Sequence, residues 1–108
     1  MAAGDVTIKG DSKRTIRGQR IVWGEVQLDG ANPTPIALAR FLASIDELTA
    51  TFRRTTAPAL DPVAITWDRS GTTANIYAWK HTLATDATLI ASTNNTAIVS
   101  FIAIGPKA

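Results

Sequence analysis

The chain has no cysteine and a single histidine among its 108 residues. Without cysteine there is no disulfide and no thiolate zinc site. A domain this small must then be held by packing, by a partner or by self-association. The lone histidine, His81, excludes a metal site built on two histidines of one chain and leaves a Ser-His-Asp triad unsupported. Asp86 lies near it in sequence, but a solitary histidine beside a loop acid reads as an exposed side chain. The acidic pair Asp46-Glu47 has no second carboxylate motif to work with. Gly71 and Gly105 stand alone, so no glycine-rich phosphate loop exists. The longest apolar runs are far too short for a membrane span, and Met1-Ala2-Ala3-Gly4-Asp5 carries an early acid and no leader-like apolar run. The expectation is a non-enzymatic protein with no cofactor, no metal and no membrane contact, made in a cytoplasm.

Charge is also sparse. Charged residues make up 19% of the chain, against about 25% in an average soluble domain. More of the surface is therefore neutral, rich in Thr and Ala, and easily desolvated against a partner. The net charge of +2 is too small to signal nucleic acid by itself.

What is present is β texture. Val63, Ile65 and Trp67 alternate with Ala64, Thr66 and Asp68, the two-residue period of a half-buried strand. Asp68-Arg69-Ser70-Gly71 supplies turn chemistry, and Ala74 to Trp79 gives a second strand. Val6 to Lys9 reads as a short strand. From about Arg20 to Leu28, Val22, Val26 and Leu28 share one face with Gly24, and Ile21, Trp23, Glu25 and Gln27 share the other. Asp29-Gly30-Ala31-Asn32-Pro33 ends that strand. Leu89 to Thr93 leads into an Asn94-Asn95 turn. Thr96 to Ile104 is the last strand, apolar on both faces, which predicts an inner strand covered on both sides.

Residues Pro35 to Arg54 carry two patterns. Leu38, Phe41, Leu42, Ile45, Leu48 and Phe52 fall at helical spacing, with Thr34 as N-cap and Pro35 at the first helical position. Ser44-Ile45-Asp46-Glu47 interrupts that run, and Leu48-Thr49-Ala50-Thr51-Phe52 alternates. The reading adopted is one short helix near residues 35–43, then a strand from about Ile45 to Arg54. The whole is one all-β domain over residues 1–108, a compact β-sandwich or partly open barrel, with a flexible N-terminal arm at about residues 1–5.

Two features carry functional expectations. The basic run Lys9, Lys13, Arg14, Arg17 and Arg20 is either a solvated edge that discourages aggregation or an arm that meets an acidic partner surface. The aromatic set Trp23, Trp67, Tyr77 and Trp79 is either core, with Trp67 paired across the hairpin to Tyr77 or Trp79, or an exposed patch for sugar or protein. A carbohydrate-binding module would need Trp23, Trp67 and Trp79 exposed together.

The opening MAAGDVTIKG, the GANPTPI segment, the block APALDPVAITWDRSGTTANIYAWK and the ending LIASTNN…VSFIAIG resemble small structural proteins of tailed bacteriophages. The resemblance covers most of the chain and rests on strand-and-turn patterns, so no functional residues carry over from it. It implies a virion component, a capsid decoration (cement) protein that binds the major capsid protein on the outside of the shell. Homo-oligomers on the shell and synthesis in the host bacterial cytoplasm belong to the same expectation. A head–tail connector or tail component would share every compositional feature.

Overall fold

The computed structural model describes residues 1–12, 17–54 and 59–108. Eight strands appear in chain order: β1 (Val6–Asp11), β2 (Gln19–Gln27), β3 (Thr34–Ala37), β4 (Glu47–Arg53), β5 (Ala64–Ser70), β6 (Thr73–Leu83), β7 (Asp86–Ala91) and β8 (Ile98–Pro106). They form two antiparallel sheets. The first runs β1-β2-β8-β4; in the second β6 pairs with β5 on one edge and with both β3 and β7 on the other. The architecture is a β-sandwich.

Alternation builds the core between the sheets. On β2 and β8, Val22, Val26, Val99, Phe101 and Ala103 point inward; on β6, Ala74, Ile76 and Ala78 face them. Each large aliphatic or Phe side chain buried this way stabilises the fold by roughly 1.5–3 kcal/mol relative to exposure. The β5–β6 hairpin closes through the two-residue loop Gly71-Thr72, in which Gly71 has φ +62°. A glycine first in a two-residue loop matches the twist of the flanking strands.

There is no helix among the described residues, and the expected one near residues 35–43 is a correction. Thr34, Ile36 and Leu38 are buried while Pro35, Ala37 and Ala39 are exposed. This period of two pairs Thr34–Ala37 with Ala37↔Thr73 through Thr34↔Ile76 of β6. Thr34 does not cap a helix; its hydroxyl donates to Asp29 Oδ1 at 3.0 Å and closes the turn after β2. The helical spacing of Leu38, Leu42 and Ile45 is real but is met by a single turn, in which Leu42 N–H donates to the Leu38 carbonyl at 3.0 Å. That loop drops all three side chains into the core. The strand expected after it is β4.

Two further expectations change. β8 does lie between β2 and β4, but its second face is uncovered, and Ile102 is 48% exposed. Among the described residues the eight strands divide into two layers, with none left over to form a third. Trp67 stands opposite Ile76 on the inner face, so it makes no cross-strand pair with Tyr77 or Trp79. Those two stack along β6 instead, with ring centroids 6.3 Å apart, on the outer face of the second sheet.

β6 outruns its sandwich partners. β5 begins opposite Trp79, and from there to Leu83 only β7 accompanies it. All six residues of β7 are exposed. The chain measures 48 × 23 × 19 Å. At Ala78 the edge of β6 passes from β3 to β7: Ala78 N–H donates to the Asn32 side-chain oxygen at 2.8 Å, and Ser92 N–H donates to the Ala78 carbonyl at 2.9 Å.

Candidate docking surface

The outer face of the first sheet is built by the residues of β2, β8 and β4 that alternate away from the core. The register sets Trp23 beside Ile102 and Thr49, and Glu25 beside Ser100 and Thr51. Ile21 with Ile104, and Gln27 with Ile98, extend the face to either side. Trp23 is 40% exposed. Its indole lies across β1, where a Cβ on Gly10 would come within 2.4 Å of the ring, so a larger residue there would push the indole aside. A bulge between Ile8 and Gly10 gives β1 the local kink that this contact uses. Between Trp23 and Ile102 a shallow hollow reaches down to Gly24 and Phe101, walled by Lys9, Glu25, Thr49, Thr51 and Ser100.

Glu25 is the one nearly buried acid on this face, at 6% exposure. Lys9 from β1 forms an ion pair with its Oε1, and Arg53 from β4 reaches its Oε2 at 2.9 Å. The Lys9 hydrogen bond, then that of Arg53, holds the Glu25 carboxyl below its ordinary value, against the opposing effect of burial. Two cations with half or more of their side chains in solvent thus cover a carboxylate flanked by Trp23, Ser100 and Thr51. Surfaces of this kind, an apolar centre with a charged rim, are suited to binding another protein.

The basic run does not converge as one patch among the described residues. Lys9 is engaged with Glu25. Arg20 pairs with Asp11 at 2.7 Å, with both side chains mostly buried, and its guanidinium sits 5.6 Å from the centre of the Phe41 ring. It clasps β1 and β2 to the loop after β3. Arg17 is exposed in the turn before β2 with φ +54°. Lys13 and Arg14 lie outside the described residues. At the N-terminus, the Gly4 N–H donates to the Gln27 carbonyl and the Gln27 N–H to the Asp5 carbonyl, leaving Met1 to Ala3 exposed.

The other expected residues are scattered. Trp23 faces out from the first sheet, Trp67 faces the interior, and Trp79 faces out from the second sheet, where its Nε1 donates to Thr66 Oγ1 at 2.8 Å. The three indoles are not exposed together, so the condition set for a sugar-binding module is not met. His81 is half-buried on the β6–β7 hairpin, and Asp46 and Glu47 are exposed at the start of β4. Among the described residues no cluster of three or more His, Asp or Glu side chains could hold a metal. The Trp23–Ile102 face was not singled out from the sequence. The signal was the run Ile98, Ile102, Ile104 on one side of the last strand, which reads as core until the number of layers is known.

No family model matches the chain, and neither the curated proteins nor the solved structures contain a match to it.

Proposed function

We propose that this protein is a non-enzymatic virion component, a capsid decoration protein that lies on the outside of a shell of major capsid protein and braces it. The observation supporting this reading is the exposed Trp23–Ile102 face on the two inner strands of the first sheet. A strand flanked on both sides by other strands can dock only through its face. An apolar face there favours a broad, flat partner over a small molecule. The Lys9–Glu25–Arg53 group on that face, with Arg17 outside it, supplies charges for a polar shell surface. Each exposed charge contact need contribute only about 0.2–1 kcal/mol, because many copies act on one particle. Residence on the virion, after synthesis in the host bacterial cytoplasm, belongs to the same reading.

The test is to add the purified chain to undecorated shells and count copies bound per particle. Ile102→Lys, which places a charge in the centre of the face without touching the core, should lower occupancy at least about tenfold, the equivalent of about 1.4 kcal/mol. High salt should release only part of the bound protein, since screening acts on the charged rim. Full occupancy by Ile102→Lys would move the docking surface elsewhere, with Met1–Ala3 and Arg17 next to be altered. Binding of the unmodified chain to tail tubes or portal complexes, and not to shells, would favour the connector reading.

A further inference from the structure

We infer that the outer face of the first sheet takes an acidic partner segment in extended form. An apolar side chain of that segment seats between Trp23 and Ile102, and a carboxylate two residues away meets Lys9 and Arg53. This rests on the decoration reading for the choice of face, and adds the chemistry of what meets it.

The charges on the face are not equally available. Both oxygens of Glu25 are taken, Oε1 by Lys9 and Oε2 by Arg53. Its carboxyl is held below its ordinary value, so it stays ionised at neutral pH. Only 7% of its side chain reaches solvent, which leaves little for a partner's cation. The two cations are the reverse. Lys9 and Arg53 expose 50% and 65% of their side chains, and among the described residues neither has an acceptor other than Glu25. An ammonium has three donors and a guanidinium five, so most of them remain free. Two cations against one carboxylate also leave a positive charge unmatched. Glu47, the acid at the other end of β4, stands beside Ile104, whereas Glu25 stands beside Ser100. That separation is four residues of β8, about 13 Å of extended chain. What a partner meets beside the hollow is therefore donors and positive charge, and the complement is a carboxylate.

Spacing couples the two contacts. Trp23 and Glu25 are two residues apart on β2, as Ile102 and Ser100 are on β8, so hollow and charged group lie about 7 Å apart along the strands. An extended segment laid along them repeats that spacing between its own side chains at i and i+2. β2 and β8 are already paired on both edges, so side chains and not backbone pairing make the contact. The hollow reaches down to Gly24 and Phe101, deep enough to receive the apolar side chain as an anchor. A lysine in place of the partner's carboxylate would face Lys9 and Arg53 and be repelled.

The experiment is a nuclear magnetic resonance titration of the isotope-labelled full chain at low salt, with three blocked peptides that differ at one position. Each carries leucine, preceded two residues earlier by glutamate, glutamine or lysine. The glutamate peptide should shift the amides of Glu25, Ser100 and Ile102. It should bind at least about tenfold tighter than the lysine peptide, with glutamine between. Arg53→Glu should invert that order with an unchanged circular dichroism spectrum. Arg53→Gln, which sets no new charge beside Glu25, should narrow the gap. Ile102→Ser should weaken all three peptides and keep their order, since it removes the apolar contact alone. Preference for the lysine peptide would overturn the inference and make Glu25 the group that is read. Equal affinities, or no shift on this face with any peptide, would overturn it too. On undecorated shells, Arg53→Glu should bind in fewer copies than the unmodified chain. Full occupancy by Arg53→Glu, with Ile102→Lys impaired, would overturn the acidic partner and leave the decoration reading standing. Peptides ranked as expected, with shells left bare by the unmodified chain, would support the acidic partner and sink the decoration reading.

Discussion

The hairpins β1–β2 and β6–β7 are both antiparallel, and each contains one bulge. Their surroundings differ. β2 gives Val22, Val26 and its neighbours to the core and is paired on both edges, whereas β7 exposes every residue and is paired on one. In the second hairpin the β7 strand is held by hydrogen bonding to β6 with no buried residue of its own. A strand without a buried face is marginal in water, because ordering its backbone costs about 1–2 kcal/mol per residue with little burial to offset it. The comparison separates what makes a strand from what makes it stable.

The largest expected effect lies in the body. Phe101 is 2% exposed between the sheets. Phe101→Ala should cost about 3–5 kcal/mol by urea denaturation. A loss below about 1 kcal/mol would mean that the inner face of β8 is not the centre of the fold.

An intermediate effect is expected from acid. Glu25 titrates below its ordinary 4.5 in the folded chain, so the folded state favours the ionised form. Its contribution is complete above that ordinary value and is lost as the pH falls through the lowered one. Melting temperatures measured from about pH 6 to about pH 3 should therefore fall, and Glu25→Gln should flatten the curve. Asp86→Asn at the start of β7 removes a carboxyl lowered in the same direction, and should flatten it less, because β7 buries no residue that depends on it. Equal flattening would show that the β6–β7 hairpin and the sandwich unfold as one unit.

The smallest effect belongs to the β6–β7 hairpin. Leu83 is 58% exposed. Leu83→Ser should change stability by less than about 0.5 kcal/mol. Amides of Leu83 to Asp86 should exchange with solvent long before those of Val99 to Ala103. Slow exchange there would mean that the hairpin is covered.

Alternation made most of the fold legible. The faces of β2, the β5–β6 hairpin and the last strand follow from period two, which is local to each strand. β3 was missed because Thr34-Pro35-Ile36-Ala37-Leu38 satisfies both a cap-and-proline helix start and strict alternation. Only pairing with β6, a long-range fact, decides between them. The same limit hid the docking face. Ile102 and Phe101 are both apolar, and which of them is core depends on how many layers the chain can build. Arg20 counted as part of a surface run because sequence shows neighbours along the chain, not Asp11 and Phe41 folded against it.

The passage of β6 from one set of partners to the next has a mechanical meaning. One unbroken backbone runs from Ala74, Ile76 and Ala78 in the core to Leu83 near the tip, so the projection is a lever and not a tether. Ala78, bonded to the Asn32 side chain and to Ser92, is its fulcrum. About 17 Å of extended chain lies beyond it, so a tilt of about 10° at Ala78 would carry the tip some ~3 Å. Small repacking around Ile76 would therefore aim a distant edge, and load applied to that edge would be felt first at the Asn32 amide.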